Sequence, residues 1–150
     1  MLRPILLVED NLFDLELTLL ALERCNLSED VAVVRDGEEA IDYLLQLGQY
    51  AGRPPGNPSF VLLDLKLPKM DGLDVIKKMR STQATKEIPV VMFTSSAEPR
   101  DLETGYANGL NAYVVKPIEF SQFTDAVMDI GLFWTMQNVP PLGSAKVLRN

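Results

Sequence analysis

Phe60-Val61-Leu62-Leu63-Asp64-Leu65-Lys66-Leu67-Pro68-Lys69-Met70-Asp71-Gly72 is the stretch from which the fold can be read. Four apolar residues stop at a carboxylate. A proline and an Asp-Gly pair then break the chain before a helical pattern begins. The same construction recurs: Ile5-Leu6-Leu7-Val8 runs into Glu9-Asp10, Val90-Val91-Met92-Phe93 stops at Thr94, and Ala112-Tyr113-Val114-Val115 stops at Lys116-Pro117. Val31-Ala32-Val33-Val34 is a fifth apolar run. Short continuous runs of this kind fit strands of a sheet covered on both faces, where alternation with polar residues is not required.

Helical patterns intervene at about Asn11–Cys25, Gly37–Leu47, Leu73–Ser81, Arg100–Asn108 and Ser121–Gln137. Strand and helix alternate throughout, which predicts a doubly wound α/β domain. The expected sheet has five parallel strands in the flavodoxin-like order 2-1-3-4-5. Gly48 to Ser59, with Gly52, Pro54, Pro55, Gly56 and Pro58, reads as a surface loop before the third strand. Pro140-Pro141 stops the last helix. The expected division is therefore a single domain over 1–138 and an extended, mobile tail over 139–150, with no second domain.

The bulk composition narrows the function. The chain has 150 residues, 47% apolar and 23% charged, which suits one soluble core. Its net charge of −7 opposes nucleic-acid phosphates, and no basic stripe is present. No apolar run approaches the roughly 20 residues that span a bilayer. Glu9-Asp10 interrupts the first run too early for a signal peptide, so a cytoplasmic protein without membrane partners is expected. Cys25 is the only cysteine, and in a helical pattern it reads as structural. There is no histidine. This excludes a phosphohistidine carrier, a Ser-His or Cys-His nucleophile, and zinc sites of the usual Cys/His type.

In an open parallel sheet, ligands bind at the carboxyl ends of the strands. The sequence delivers Glu9, Asp10, Asp64, Thr94 and Lys116 to that edge. Three carboxylates in one crevice raise one another's pKa values unless a cation sits among them. Oxygen-only donors suit Mg²⁺. Lys116 is a compact charge for a phosphoryl oxygen, and Thr94 offers it a hydroxyl donor. Asp64, on the middle strand, is the candidate nucleophile, able to accept a phosphoryl group as an acyl phosphate. Any one of these residues could instead cap the following helix, Asp10 above all. Their agreement in chemical type favours a site.

Leu7-Val8-Glu9-Asp10-Asn11, the stretch from Leu62 to Gly72, Val91-Met92-Phe93-Thr94-Ser95-Ser96 and Tyr113-Val114-Val115-Lys116-Pro117 together resemble the signature blocks of response-regulator receiver domains, in order and in spacing. The resemblance covers nearly the whole chain. It implies a CheY-like phosphoacceptor switch rather than an enzyme, with Asp64 accepting a phosphoryl group from a sensor histidine kinase. It further implies Mg²⁺ held by Glu9, Asp10, Asp64 and the backbone carbonyl of Lys66. Thr94, Lys116 and Tyr113 then bind the phosphoryl group and carry the switch. Ser95, Asp71, Gly72 and Pro117 are supporting residues, and in the family the Lys-Pro peptide bond is cis. Lys66 and Ser96 stand where the family tunes hydrolysis. The first acid is Glu9 where Asp is usual. Asp36-Gly37-Glu38-Glu39-Ala40-Ile41-Asp42-Tyr43-Leu44, the Pro-rich loop and Phe133-Trp134 resemble more closely the stand-alone receivers of cyanobacterial phytochrome kinases, which implies a phytochrome-type kinase as partner.

Other readings fit less well. An aspartyl phosphatase wants a second Asp two residues after the nucleophile, where this chain has Lys66. A flavin-binding module would be repelled by Glu9-Asp10. A scaffold that uses the fold without the switch is the remaining alternative.

Two helices carry more apolar residues than one buried stripe needs. In the first, Phe13, Leu17, Leu20 and Ala21 are read as the core side, and Leu12, Leu15, Leu19 and Leu22 as the outer side, with Asp14 and Thr18 on a flank. In the last, Phe120, Phe123, Val127, Ile130 and Trp134 are read as core and Met128, Leu132 and Met136 as outer. Leu12, Leu15, Leu19, Leu22, Met128, Leu132, Phe133, Trp134 and Met136 are thus the expected face of a homodimer.

Overall fold

The computed structural model describes residues 2–148. Five parallel strands, β1 (Ile5–Val8), β2 (Val31–Val34), β3 (Phe60–Leu63), β4 (Val90–Thr94) and β5 (Ala112–Val115), form one sheet in the order β2-β1-β3-β4-β5. Five helices alternate with them: α1 (Leu12–Arg24), α2 (Gly37–Leu45), α3 (Gly72–Ser81), α4 (Pro99–Ala107) and α5 (Phe120–Leu132). The α/β class and strand order expected from the apolar runs are those observed. The last helix is shorter than expected, because Phe133–Gln137 leaves α-helical geometry for a π turn.

The sheet is buried on both faces, and the alternation of the pleat sorts its side chains into two cores. Leu6, Val8, Val61 and Leu63 pack with α2 and α3 residues such as Ala40, Ile41, Val75 and Met79. Ile5, Leu7, Phe60 and Leu62 pack on the other side with Leu15, Leu22, Phe123 and Val127 of α1 and α5. This two-sided cover explains why the strands read as unbroken apolar runs.

The faces assigned to α1 and α5 need correction. The buried side of α1 is Leu15, Thr18, Ala21 and Leu22, whereas Phe13 is 68% exposed. Thr18 misleads because its hydroxyl donates to the Asp14 carbonyl at 2.8 Å, so a polar residue enters the core with its hydrogen bond made inside the helix. Leu15 and Leu22 are therefore core, not dimer face. Leu19, Met128 and Trp134 are partly buried against the same core, with the Trp134 ring 6.3 Å from that of Phe60. Phe120, expected inside, is exposed and lies under the Arg24 guanidinium at 5.7 Å. Of the proposed face, Leu12, Leu132, Phe133 and Met136 remain exposed. They do not make one patch. Leu22 packs against Gly131 near the end of α5, and Leu12 stands about 15 Å of helix before Leu22.

The loop before β3 is pinned by Arg53, which donates to the carbonyls of Tyr43 at 2.6 Å and Leu44 at 3.1 Å at the end of α2. It also receives the tail, expected to be mobile. Ser144 forms a parallel bridge with Asn57, the Ala145 N–H donates to the Asn57 carbonyl at 2.8 Å, and the Ser59 hydroxyl donates to the Ala145 carbonyl. Residues 149 and 150 of the expected tail lie outside the described residues.

Candidate functional site

Strand register brings the charged residues together. Val8 pairs with Leu63, so Glu9 and Asp64 leave neighbouring strands at the same level. Thr94 pairs with Val115, which places Lys116 one residue beyond, its N–H donating to the Thr94 carbonyl at 2.7 Å. All four side chains are buried: Glu9 2%, Asp64 9%, Thr94 1% and Lys116 8% exposed.

Lys116 is the centre of the cluster. Its ammonium donates to Asp64 Oδ2 at 2.7 Å, to Glu9 Oε1 at 2.7 Å and to Asp14 Oδ2 at 2.9 Å, which uses all three of its hydrogens. The other Asp64 oxygen, Oδ1, accepts from the Leu65 N–H at 2.7 Å. Asp14 was not among the sequence candidates. Its one signal was its place in the first turn of a helix that starts at this edge, where an acid also suits the helix dipole.

The electrostatics follow from burial. Desolvation would lower the Lys116 pKa, but hydrogen bonds to Asp64, Glu9 and Asp14 outweigh it and hold the pKa above the usual lysine range. Glu9 is pushed up to about 7, first by burial and then by the Asp64 charge, with Lys116 pulling it back only in part. A simple ion pair would lower its acid. Here Lys116 is shared among three acceptors, so burial and the second carboxylate prevail for Glu9.

Asp10 does not join the cluster, contrary to the sequence reading. Just past the end of β1, Glu9 is buried and Asp10 is exposed, its carboxylate 3.9 Å from the exposed Arg35. Nor does Asp10 cap α1: Asn11 does, accepting from the Asp14 N–H at 2.9 Å. Asp10 and Lys66 instead line the cleft beside the cluster with Leu65, Pro68, Asp71 and Asp101. Among the described residues, no three acidic side chains are set around a metal position. The carboxylates that converge do so on an ammonium. The donor chemistry, oxygen throughout, does suit a hard divalent cation. Glu9, Asp10, Asp64 and the Lys66 carbonyl are the atoms available to it.

Two further elements shape the site. Gly72 opens α3 with its N–H on the Leu65 carbonyl at 2.7 Å, and a Cβ there would lie 2.3 Å from the Asp64 carbonyl oxygen. Only glycine permits that approach, and Asp71 caps the helix by accepting from the Asp74 N–H. On the other side, the Thr94 hydroxyl accepts from the Ser96 N–H at 3.3 Å, and the Tyr113 hydroxyl donates to the Ser96 carbonyl at 2.9 Å. Ser95 is exposed, and no bond of its side chain enters the site. No cis peptide bond occurs among the described residues, so Lys116-Pro117 is trans. The cis form implied by the family resemblance is not adopted, and trans is the intrinsically preferred isomer of such a bond.

Comparison with known proteins gives a consistent family. Residues 5–128 match the response regulator receiver domain. The chain is 35% identical over 88% of its length to the response regulator Rcp1 of a Synechocystis strain, covering 88% of that protein. The phosphorylated cyanobacterial phytochrome response regulator RcpA superposes with a TM-score of 0.86 at 38% identity, with 94% of this chain and 99% of that one covered. The bacteriophytochrome response regulator AtBRR is 57% identical, with a TM-score of 0.73 and 93% and 99% coverage. A Mn²⁺-bound structure of Rcp1 also superposes, with a TM-score of 0.84 at 34% identity, covering 91% of this chain and 97% of that one.

Proposed function

The chain belongs to the response regulator receiver family, and from that premise we propose that it is a phosphoacceptor switch in which Asp64 takes a phosphoryl group from a phytochrome-type sensor histidine kinase. The observation that carries this reading is the buried Lys116 ammonium at 2.7 Å from Asp64 Oδ2, at the end of the sheet's middle strand. An Asp64 oxygen forms a bond to phosphorus as the bond from phosphorus to the histidine nitrogen breaks, and that nitrogen keeps the electron pair. Lys116 loses its contact with the free carboxylate and offers the same N–H to a phosphoryl oxygen. Thr94, whose hydroxyl accepts from Ser96, keeps its own hydrogen to donate there. Tyr113 carries the change to β5 and α4. Glu9, Asp10, Asp64 and the Lys66 carbonyl would hold Mg²⁺, which when bound would supply the remaining positive charge.

Incubation with Mg²⁺ and acetyl phosphate, followed by intact mass measurement, tests the reading. A gain of one phosphoryl group in the wild type, absent in Asp64→Asn, supports it. No gain in the wild type favours the phosphorylation-independent scaffold. The reading extends to self-association through Leu132, Phe133 and Met136, which are exposed at the C-terminal end of α5 and the turn after it. Sedimentation should show a dimer that Phe133→Asp and Met136→Asp weaken; a monomer at high concentration overturns this part. The cytoplasm is the compartment this partnership implies, and no helix among the described residues is long and apolar enough to cross a membrane.

A further inference from the structure

Ser96 joins three elements at once. Its N–H donates to Thr94 Oγ1 on β4 at 3.3 Å, and its carbonyl accepts from the Tyr113 hydroxyl on β5 at 2.9 Å. Its own hydroxyl donates to Asp101 Oδ2 on α4 at 2.6 Å and accepts from the Glu98 N–H at 3.3 Å. The bond to Asp101 is the shortest of the four and lies in the range of charge-assisted hydroxyl–carboxylate bonds. Glu98, the residue before α4, makes no side-chain cap. The Ser96–Asp101 pair therefore takes over the task of fixing the loop to the helix. Asp101 sits in the first turn of α4, where the helix dipole favours its charge.

From this geometry we propose that Asp101 is a positioning residue: through Ser96 it sets the Thr94 hydroxyl and the Tyr113 side chain together. Both switch residues bond to the backbone of Ser96, and Asp101 is the side chain of α4 that accepts the Ser96 hydroxyl. Freeing Ser96 releases both at once. Asp101 also lines the cleft that holds Asp10 and Lys66, so α4 is tied to the edge of the phosphoryl site by a side chain outside the reacting group. The consequence for phosphoryl transfer rests on the phosphoacceptor reading; the placement of Tyr113 does not.

The test uses the full chain labelled with fluorotyrosine, its Tyr113 resonance assigned from Tyr113→Phe, before any phosphorylation. Wild type and Asp101→Asn, which still accepts the Ser96 hydroxyl, should give one unchanged Tyr113 resonance. Asp101→Ala and Ser96→Ala, which remove the two ends of one bond, should each shift or split it in the same way. Uptake from saturating acetyl phosphate should slow roughly fivefold in Asp101→Ala, the scale of one lost hydrogen bond. The half-saturating donor concentration should stay unchanged, and Asp101→Asn should restore the rate. An unchanged Tyr113 resonance in both alanine variants overturns the proposal. A shifted resonance in a protein whose wild type takes up no phosphoryl group supports the anchor and overturns the phosphoacceptor reading.

Discussion

The Lys116 cluster and the Ser96 loop serve one site, but different forces hold them. The cluster is buried, and one ammonium satisfies three carboxylates at 2.7 to 2.9 Å. The loop is partly exposed, and its bonds to Thr94 and Tyr113 are neutral ones of 2.9 to 3.3 Å. Breaking a buried charge network costs several kcal/mol, whereas a neutral hydrogen bond contributes about 1 kcal/mol. On the proposed function, the first region stays put while phosphoryl chemistry happens on it. The second can exchange partners at low cost, as a switch requires.

The sharpest way to break this contrast is to remove the ammonium. Lys116→Met leaves Glu9, Asp14 and Asp64 without their shared donor and should cost about 3–5 kcal/mol in urea unfolding at neutral pH. Stability equal to wild type would mean the cluster is not the rigid region. The next effect is pH dependence from Glu9, whose pKa rises from 4.5 unfolded to about 7 folded. Between these values the folded state binds a proton that the unfolded state has lost, so this contribution falls as pH rises from 4.5 through 7. Its ceiling is about 3 kcal/mol, and Glu9→Gln should flatten that part of the stability profile. Gly72→Ala drives a Cβ into the Asp64 carbonyl and should cost about 1–3 kcal/mol while displacing the acceptor loop. Tyr113→Phe, on the switch side, should cost only about 1 kcal/mol in the same unfolding assay. A Tyr113→Phe loss as large as that of Lys116→Met would erase the distinction between the two regions.

What could be read in the sequence follows the same division. Glu9, Asp64, Thr94 and Lys116 stood out because each ends an apolar run, and parallel strands must bring those ends to one edge. The misread residues are ones whose partners lie outside any pattern. Asp10 and Glu9 look equivalent in sequence, yet Glu9 is buried on Lys116 and Asp10 stands exposed beside Arg35. Thr18 looked like a flank because its hydroxyl is satisfied within its own helix. Phe13 and Phe120 looked like core by spacing, yet both stand in the first turn of their helices and are exposed. Asp14 and Asp101 hold lysine and serine partners from distant or loop positions, which helix periodicity does not encode.

On the proposed function, the carboxylate under Lys116 is the group that becomes phosphorylated. Borohydride treatment of the protein after Mg²⁺ and acetyl phosphate reduces an acyl phosphate to an alcohol, and peptide mass spectrometry then locates it. Homoserine is expected at position 64 and nowhere else, and only after treatment with the phosphoryl donor. Homoserine at Asp10 or Asp14, hydroxynorvaline at position 9 from a reduced Glu9, or an unmodified Asp64 in a folded protein, would contradict it.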